Sequence, residues 1–124
     1  MNKSKAKILI IDDNEDIITM VKMMLEMRGY DVTIKMNTAQ IEDVIMEIKP
    51  ELIIMDMLLS GADGRLICES LKNNDDLAVV PILMMSAHPN ARVDCLKAGA
   101  NSFIEKPFEV QNFYKAVEKT MSLK

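Results

Sequence analysis

The chain has 124 residues, four glycines, four prolines, two cysteines, no tryptophan and a formal charge of −4. Its length fits one domain, and 49% hydrophobic residues exclude disorder and allow a core without disulfides or a structural metal. No apolar run approaches the ~18 residues of a membrane span, and mild acidity offers no basic face for nucleic acid.

Behind the basic start MNKSKAK the apolar stretch is only Ile8–Ile11, too short for the core of a signal peptide. Ala6–Ile11 is isoleucine-rich and ends on Asp12–Asp13, which predicts a buried strand. Asn14 can cap the following helix, whose expected buried face is Ile17, Met20, Val21, Met24 and Arg28, and Gly29 can end it. Tyr30–Lys35 is a second strand, near an edge because polar residues interrupt it. Asn37 with Gln40 resembles a capping box ahead of Ile41, Val44, Ile45 and Ile48, and Pro50 stops that helix. Leu52–Met55 makes a third strand running into Asp56; a loop with Ser60, Gly61 and Asp63–Gly64 opens a helix through Lys72. Val79–Met85 is the fourth strand, ending on Ser86. A short helix near Asn90–Ala98 stops at Gly99, and Ser102–Glu105 is a fifth strand ending at Lys106–Pro107. The last helix carries Val110, Phe113, Tyr114, Val117 and Met121 on one stripe. Strands alternating with helices predict a doubly wound α/β domain of (βα)5 type. The expected sheet is parallel and five-stranded, of the flavodoxin-like order 2-1-3-4-5, with helices on both faces.

In such sheets ligands bind outside the carboxyl ends of the strands, where strand order reverses. Asp12, Asp13, Asp56, Ser86 and Lys106 all end strands on that rim. Three carboxylates together repel, and a hard divalent cation relieves this. Magnesium suits oxygen ligands, whereas zinc finds neither thiolate nor histidine here: His88 is the one histidine. Cys68 and Cys95 read as small buried hydrophobes of a reducing, cytoplasmic compartment and not as a metal or redox pair. A cation, a lysine and a hydroxyl together make a phosphoryl site, with Asp56, on a central strand, as the nucleophile.

These residues resemble the receiver domain of two-component response regulators. The landmarks are ILIIDDNED, Asp56 with Asp63–Gly64 downstream, Ser86–Ala87, Gly99–Ala100 and Lys106–Pro107–Phe108, in order across essentially the whole chain. The resemblance implies that Asp56 takes a phosphoryl group from a phosphohistidine on a histidine kinase or histidine phosphotransfer protein. It implies Mg2+ bound by Asp13, Asp56 and the backbone carbonyl of Leu58, with Asp12 acting through water. It further implies that Ser86 moves toward the phosphoryl group, that Lys106 pairs with it, and that Lys106–Pro107 is cis, an isomer inexpensive only before proline. Phe103 stands at the aromatic switch position. Its inward move would alter the face of the fourth helix, fifth strand and fifth helix, where a downstream protein target is expected. Swinging such a switch from 1:99 to 99:1 takes about 5.5 kcal/mol.

Ser60 stands where many receivers have proline, which predicts a less rigid loop. Leu58 and His88 stand at positions that receivers use to tune dephosphorylation; His88 either orders a water or sits in solvent, and the solvent reading is favoured. Met20 and Met24 are assigned to the core, Met23 and Met27 to partner contact. A haloacid-dehalogenase-type phosphatase using Asp56 would need an acid two residues on, where Leu58 stands. A flavin binder would need a phosphate loop where Asp12–Asp13–Asn14–Glu15 lies. The expected molecule is therefore a signalling switch that catalyses its own aspartyl phosphorylation and dephosphorylation, not a metabolic enzyme. Residues 1–124 are read as one receiver with no output domain in this chain, although a receiver excised from a larger regulator would look the same. No direct contact with nucleic acid or membrane is expected. A monomer is expected, with dimerisation on phosphorylation left open.

Overall fold

The apolar runs separate by period into strands and helices in the computed structural model, which describes residues 5–59 and 61–123. In chain order the elements are β1 (Lys7–Ile11), α1 (Glu15–Met27), β2 (Asp31–Lys35), α2 (Ile41–Ile48), β3 (Leu52–Asp56), β4 (Leu58–Leu59), β5 (Ala62–Asp63), α3 (Gly64–Lys72), β6 (Ile82–Ser86), α4 (Ala91–Lys97), β7 (Ser102–Glu105) and α5 (Val110–Met121). Five parallel strands form the sheet in the order β2-β1-β3-β6-β7. This is the expected 2-1-3-4-5 pattern once the small β4–β5 hairpin is set aside. That antiparallel hairpin pairs Leu58 with Asp63 and was not predicted, because two-residue strands carry no periodic signal.

Side chains of a strand alternate between faces, and the sheet sorts its core accordingly. Leu9, Ile11, Ile53, Met55, Ile82, Met84 and Phe103 face one layer, where Ile45 of α2, Cys68 and Leu71 of α3 and Cys95 of α4 meet them. Ile8, Ile10, Leu52, Ile54, Leu83, Met85 and Ile104 face the other, against Val21, Met24 and Leu25 of α1 and Phe113, Tyr114 and Val117 of α5. The two cysteines are both fully buried, as expected, but α3 and α4 bring them into one cluster that their separation in sequence did not suggest.

Several local expectations change. The Asn14 carboxamide does cap α1, accepting from the Ile17 N–H at 3.1 Å. The buried stripe of that helix is Ile18, Val21, Met24 and Leu25, however, and Met20, assigned to the core, is 37% exposed. Val21, Met24 and Leu25 enter the layer they share with α5, and the predicted Ile17 packs against it half-buried. No capping box forms at α2: Asn37 Oδ1 accepts from the Ala39 N–H at 3.0 Å, and Gln40 takes a left-handed conformation without a side-chain cap. A capping box needs an extended N-cap residue, and this turn is closed instead by Asn37. The fourth strand begins at Ile82 and not Val79, because residues 74–80 are drawn into turns bonded to Asn74 and Leu77. Ser60, where the loop was expected to be less rigid, lies outside the described residues. Among the described residues no helix is long and apolar enough to cross a membrane.

Candidate phosphoacceptor and metal site

Register builds the site. Ile11 is paired with Met55, so Asp12 and Asp56, the next residue on each strand, arrive side by side at the carboxyl rim. Asp56 in turn lies beside Met85, and Met57 N–H donates to Met85 O at 2.9 Å, fixing the exit of β3. One strand further, Lys106 N–H donates to Ser86 O at 2.9 Å, which carries the β6–β7 pairing out to the same rim. The Lys106–Pro107 peptide is cis.

Carboxylate oxygens of Asp12, Asp13 and Asp56 lie within 4.8 Å of one another. Lys106 Nζ stands 3.4 Å from Asp56 Oδ2 and 3.9 Å from Asp12 Oδ2. Asp12 is fully buried; its Oδ1 accepts from the Asn14 N–H at 2.9 Å, while Oδ2 has no hydrogen-bond partner among the described residues. Burial, reinforced by Asp56 and Asp13, raises the Asp12 carboxyl above its ordinary range against the opposing pull of Asn14 N–H and Lys106. An orphaned buried oxygen beside two more carboxylates is the donor set of a hard cation, and the cluster fits a metal ion.

Ser86 is buried and its Oγ accepts from the His88 N–H at 3.0 Å, so the hydroxyl proton is left to donate elsewhere. The His88 ring is exposed, and its Nδ1 accepts from the Asn90 N–H at 3.3 Å. Leu58, two residues beyond Asp56, turns its apolar side chain to solvent at 62% exposure. Phe103 is buried on the same sheet face as Ser86, two residues away in the β6–β7 register.

Gly64 is held against the end of β3: its N–H donates to Met57 O at 2.7 Å, and a Cβ there would collide with Asp56 O and lie 3.0 Å from Met57 O. The Asp63–Gly64 pair thus seats α3 directly beneath Asp56. Spacing alone missed three supports. Arg65 makes a fork on Asp63, with Nε 3.0 Å from Oδ1 and Nη2 2.8 Å from Oδ2, and reaches Asp94 of α4 at 3.4 Å. Lys72 Nζ donates to Ala78 O and Val80 O at 3.1 and 2.9 Å. Tyr114 Oη donates to Met24 O at 2.8 Å, joining α5 to α1. Only the first had a sequence signal, an Asp able to cap a helix beginning at Gly64.

Comparison with known proteins agrees with this geometry. Residues 8–118 match the response regulator receiver domain family. The phosphate regulon transcriptional regulatory protein PhoB of Pseudomonas aeruginosa is 37% identical over 103 residues, 82% of this chain and 45% of its own length. The chain spans about half the length of the curated relatives it matches. A putative response regulator from Chloroflexus aurantiacus superposes with a TM-score of 0.90 at 29% identity, covering 96% of this chain and 99% of that one. The receiver domain of a sensor histidine kinase from Pseudomonas aeruginosa, solved with a magnesium ion coordinated in its active-site cleft, gives a TM-score of 0.86 at 26% identity, covering 96% of this chain and 99% of that one. With its acidic rim, its lysine and its strand order all in place, the chain belongs to the response regulator receiver domain family of two-component systems.

Proposed function

We propose that Asp56 accepts a phosphoryl group from a phosphohistidine of a kinase or phosphotransfer protein, and that the resulting aspartyl phosphate switches protein partners. The observation that carries this reading is the Lys106 ammonium, 3.4 Å from Asp56 within a cluster of three carboxylates. Asp13, Asp56 and the Leu58 carbonyl would hold Mg2+, with Asp12 acting through water. That ion would supply charge neutralisation at the reacting oxygens. An Asp56 oxygen forms the new bond to phosphorus as the phosphorus–nitrogen bond of the donor breaks, and the electron pair leaves with the imidazole. Lys106 compensates the charge of the phosphoryl oxygens, and Ser86 donates its free hydroxyl proton to one of them. Drawing Ser86 inward makes room on the face it shares with Phe103, which follows. Hydrolysis of the aspartyl phosphate, tuned by Leu58 and His88, resets the switch.

Met23 and Met27, at 56% and 76% exposure on α1, make an adaptable apolar surface suited to docking the donor's helices. We place the exchange in the cytoplasm, where phosphohistidine donors and reduced thiols coexist.

The test is incubation with Mg2+ and a small acyl phosphate, read by intact mass. The chain should gain the mass of one phosphoryl group in an acid-stable, base-labile linkage, and Asp56→Asn should gain none. Lys106→Ala, if phosphorylated, should leave the resonances of Phe103 unmoved. Absence of any modification of the native chain refutes the reading. An unchanged phosphotransfer rate in the Met23→Glu, Met27→Glu double variant removes α1 from the docking surface.

A further inference from the structure

At the pole opposite the acidic rim, where β3 and β6 begin, a cavity of about 430 Å3 opens between the end of α2 and the segment ahead of β6. Ile45 and Leu77 are its buried floor, and Met46 and Val79, 49% and 72% exposed, keep its mouth apolar. Its charged lining is Lys49 on one wall and Asp76 on the other. The volume lies within the roughly 300–1,000 Å3 of small-molecule sites.

The walls are held in place by the fold itself. Lys72 Nζ donates to Ala78 O and Val80 O at 3.1 and 2.9 Å, and the Leu77 and Ala78 N–H groups both donate to Asn74 O, at 2.9 and 2.8 Å. On the α2 side Lys49 takes a left-handed conformation at φ 54°, whereas the chain leaves α1 and α4 through Gly29 and Gly99 at 86° and 108°. Glycine suits that backbone better than any side chain, so ending the helix does not explain a lysine there. Lys49 makes no ion pair among the described residues. It also lines a neighbouring depression with Lys5, Lys7, Glu47 and Glu51, where cations outnumber carboxylates three to two.

We propose that this cavity binds a small amphipathic carboxylate, with its apolar body against Ile45, Leu77 and Val79 and its carboxylate on the Lys49 ammonium. Asp76 repels a carboxylate from its own wall and so fixes the orientation of the ligand. Burial of the apolar body supplies most of the affinity, and the charge-assisted bond from Lys49 supplies the selectivity. The site uses none of the groups on the acidic rim, so it stands or falls separately from phosphorylation of Asp56.

Titration of the full chain with hexanoate, decanoate and phenylbutyrate, each below its micelle concentration and read by methyl NMR, tests this. At least one should shift the Ile45, Met46 and Val79 methyl resonances saturably, and the matching alcohol should bind about tenfold more weakly. Lys49→Gly suits the left-handed backbone; it should bring the carboxylate down to the affinity of the alcohol and leave the alcohol unchanged. The Met46→Gln, Val79→Thr double variant should weaken both. Unchanged or raised thermal midpoints certify that the variants fold. Any of four results overturns the proposal: no saturable shift with any probe, shifts scattered over other faces, acid binding indifferent to Lys49→Gly, or tighter binding of the matching amine, which gives the ligand to Asp76. Capture by phosphatidylglycerol vesicles, or self-association through this face, without binding of the free carboxylates gives the cavity to a membrane or to a second copy and overturns it equally.

Discussion

Replacing Asp12 by asparagine should stabilise the metal-free protein, although Asp12 belongs to the most constrained part of the molecule. Oxygens of Asp12, Asp13 and Asp56 lie within 4.8 Å of one another, and unit charges at that distance repel by about 3.5 kcal/mol at an effective dielectric near 20. Asp12 feels two such repulsions, together about 7 kcal/mol, against one attraction to Lys106 at 3.9 Å, about 4 kcal/mol on the same scale. Solvent around the partly exposed Asp13 and Asp56 screens the difference, leaving a gain on the order of 1–3 kcal/mol for Asp12→Asn. The amide keeps the acceptor for Asn14 N–H and turns donors toward the remaining carboxylates. In chelator, the melting temperature should rise by about 4 °C for each kcal/mol. Magnesium at 100 times its Kd should then add about 2.7 kcal/mol to the native chain and less to the variant, closing or reversing the gap. The pH dependence carries the same sign. Because burial raises the Asp12 carboxyl, the folded chain keeps a proton that the unfolded chain has released. Stability in chelator therefore falls as pH rises from the ordinary aspartate range through the raised value. The variant should lack that decline. A variant less stable than the native chain in chelator, with no response of either to magnesium, would refute the electrostatic account of this site.

Gly64→Ala forces a methyl group into Asp56 O and Met57 O; it should destabilise by about 1–3 kcal/mol in urea unfolding and slow acyl phosphate labelling of Asp56, and an unaltered labelling rate would show that α3 does not seat the acceptor. Tyr114→Phe leaves the Met24 carbonyl without its 2.8 Å donor and should lose about 1–3 kcal/mol, with amide exchange accelerating in α1 and α5 together; acceleration in α5 alone would contradict the tie. Burial pushes the Cys68 thiol up to about 11, so a disulfide reagent at pH 8 should label Cys68 only as fast as the chain unfolds; rapid labelling of the folded protein would contradict the packing of α3.

Asp12, Asp13, Asp56, Ser86 and Lys106 were legible in sequence because each ends an apolar strand, and a parallel sheet brings its carboxyl ends to one rim. The full buried set of α1 was not: Ile17, Val21 and Met24 pack toward α5 as expected, but Leu25 takes the place given to Met20, which is 37% exposed, and Arg28 is exposed. Nor were the Asn37 turn at α2 and the β4–β5 hairpin, where local hydrogen bonds outweigh any periodic pattern.

Periodicity and the polar residues at strand ends alone determined the doubly wound sheet and the composition of the acidic rim. Tertiary structure decided what spacing cannot encode: the orphaned oxygen of Asp12, the Arg65 fork between Asp63 and Asp94, and the Tyr114 bond to a residue 90 positions away. Spacing in sequence reports which side of an element a residue occupies. Which charge or carbonyl it meets depends on how separate elements dock, and that is set by the packing of the whole core.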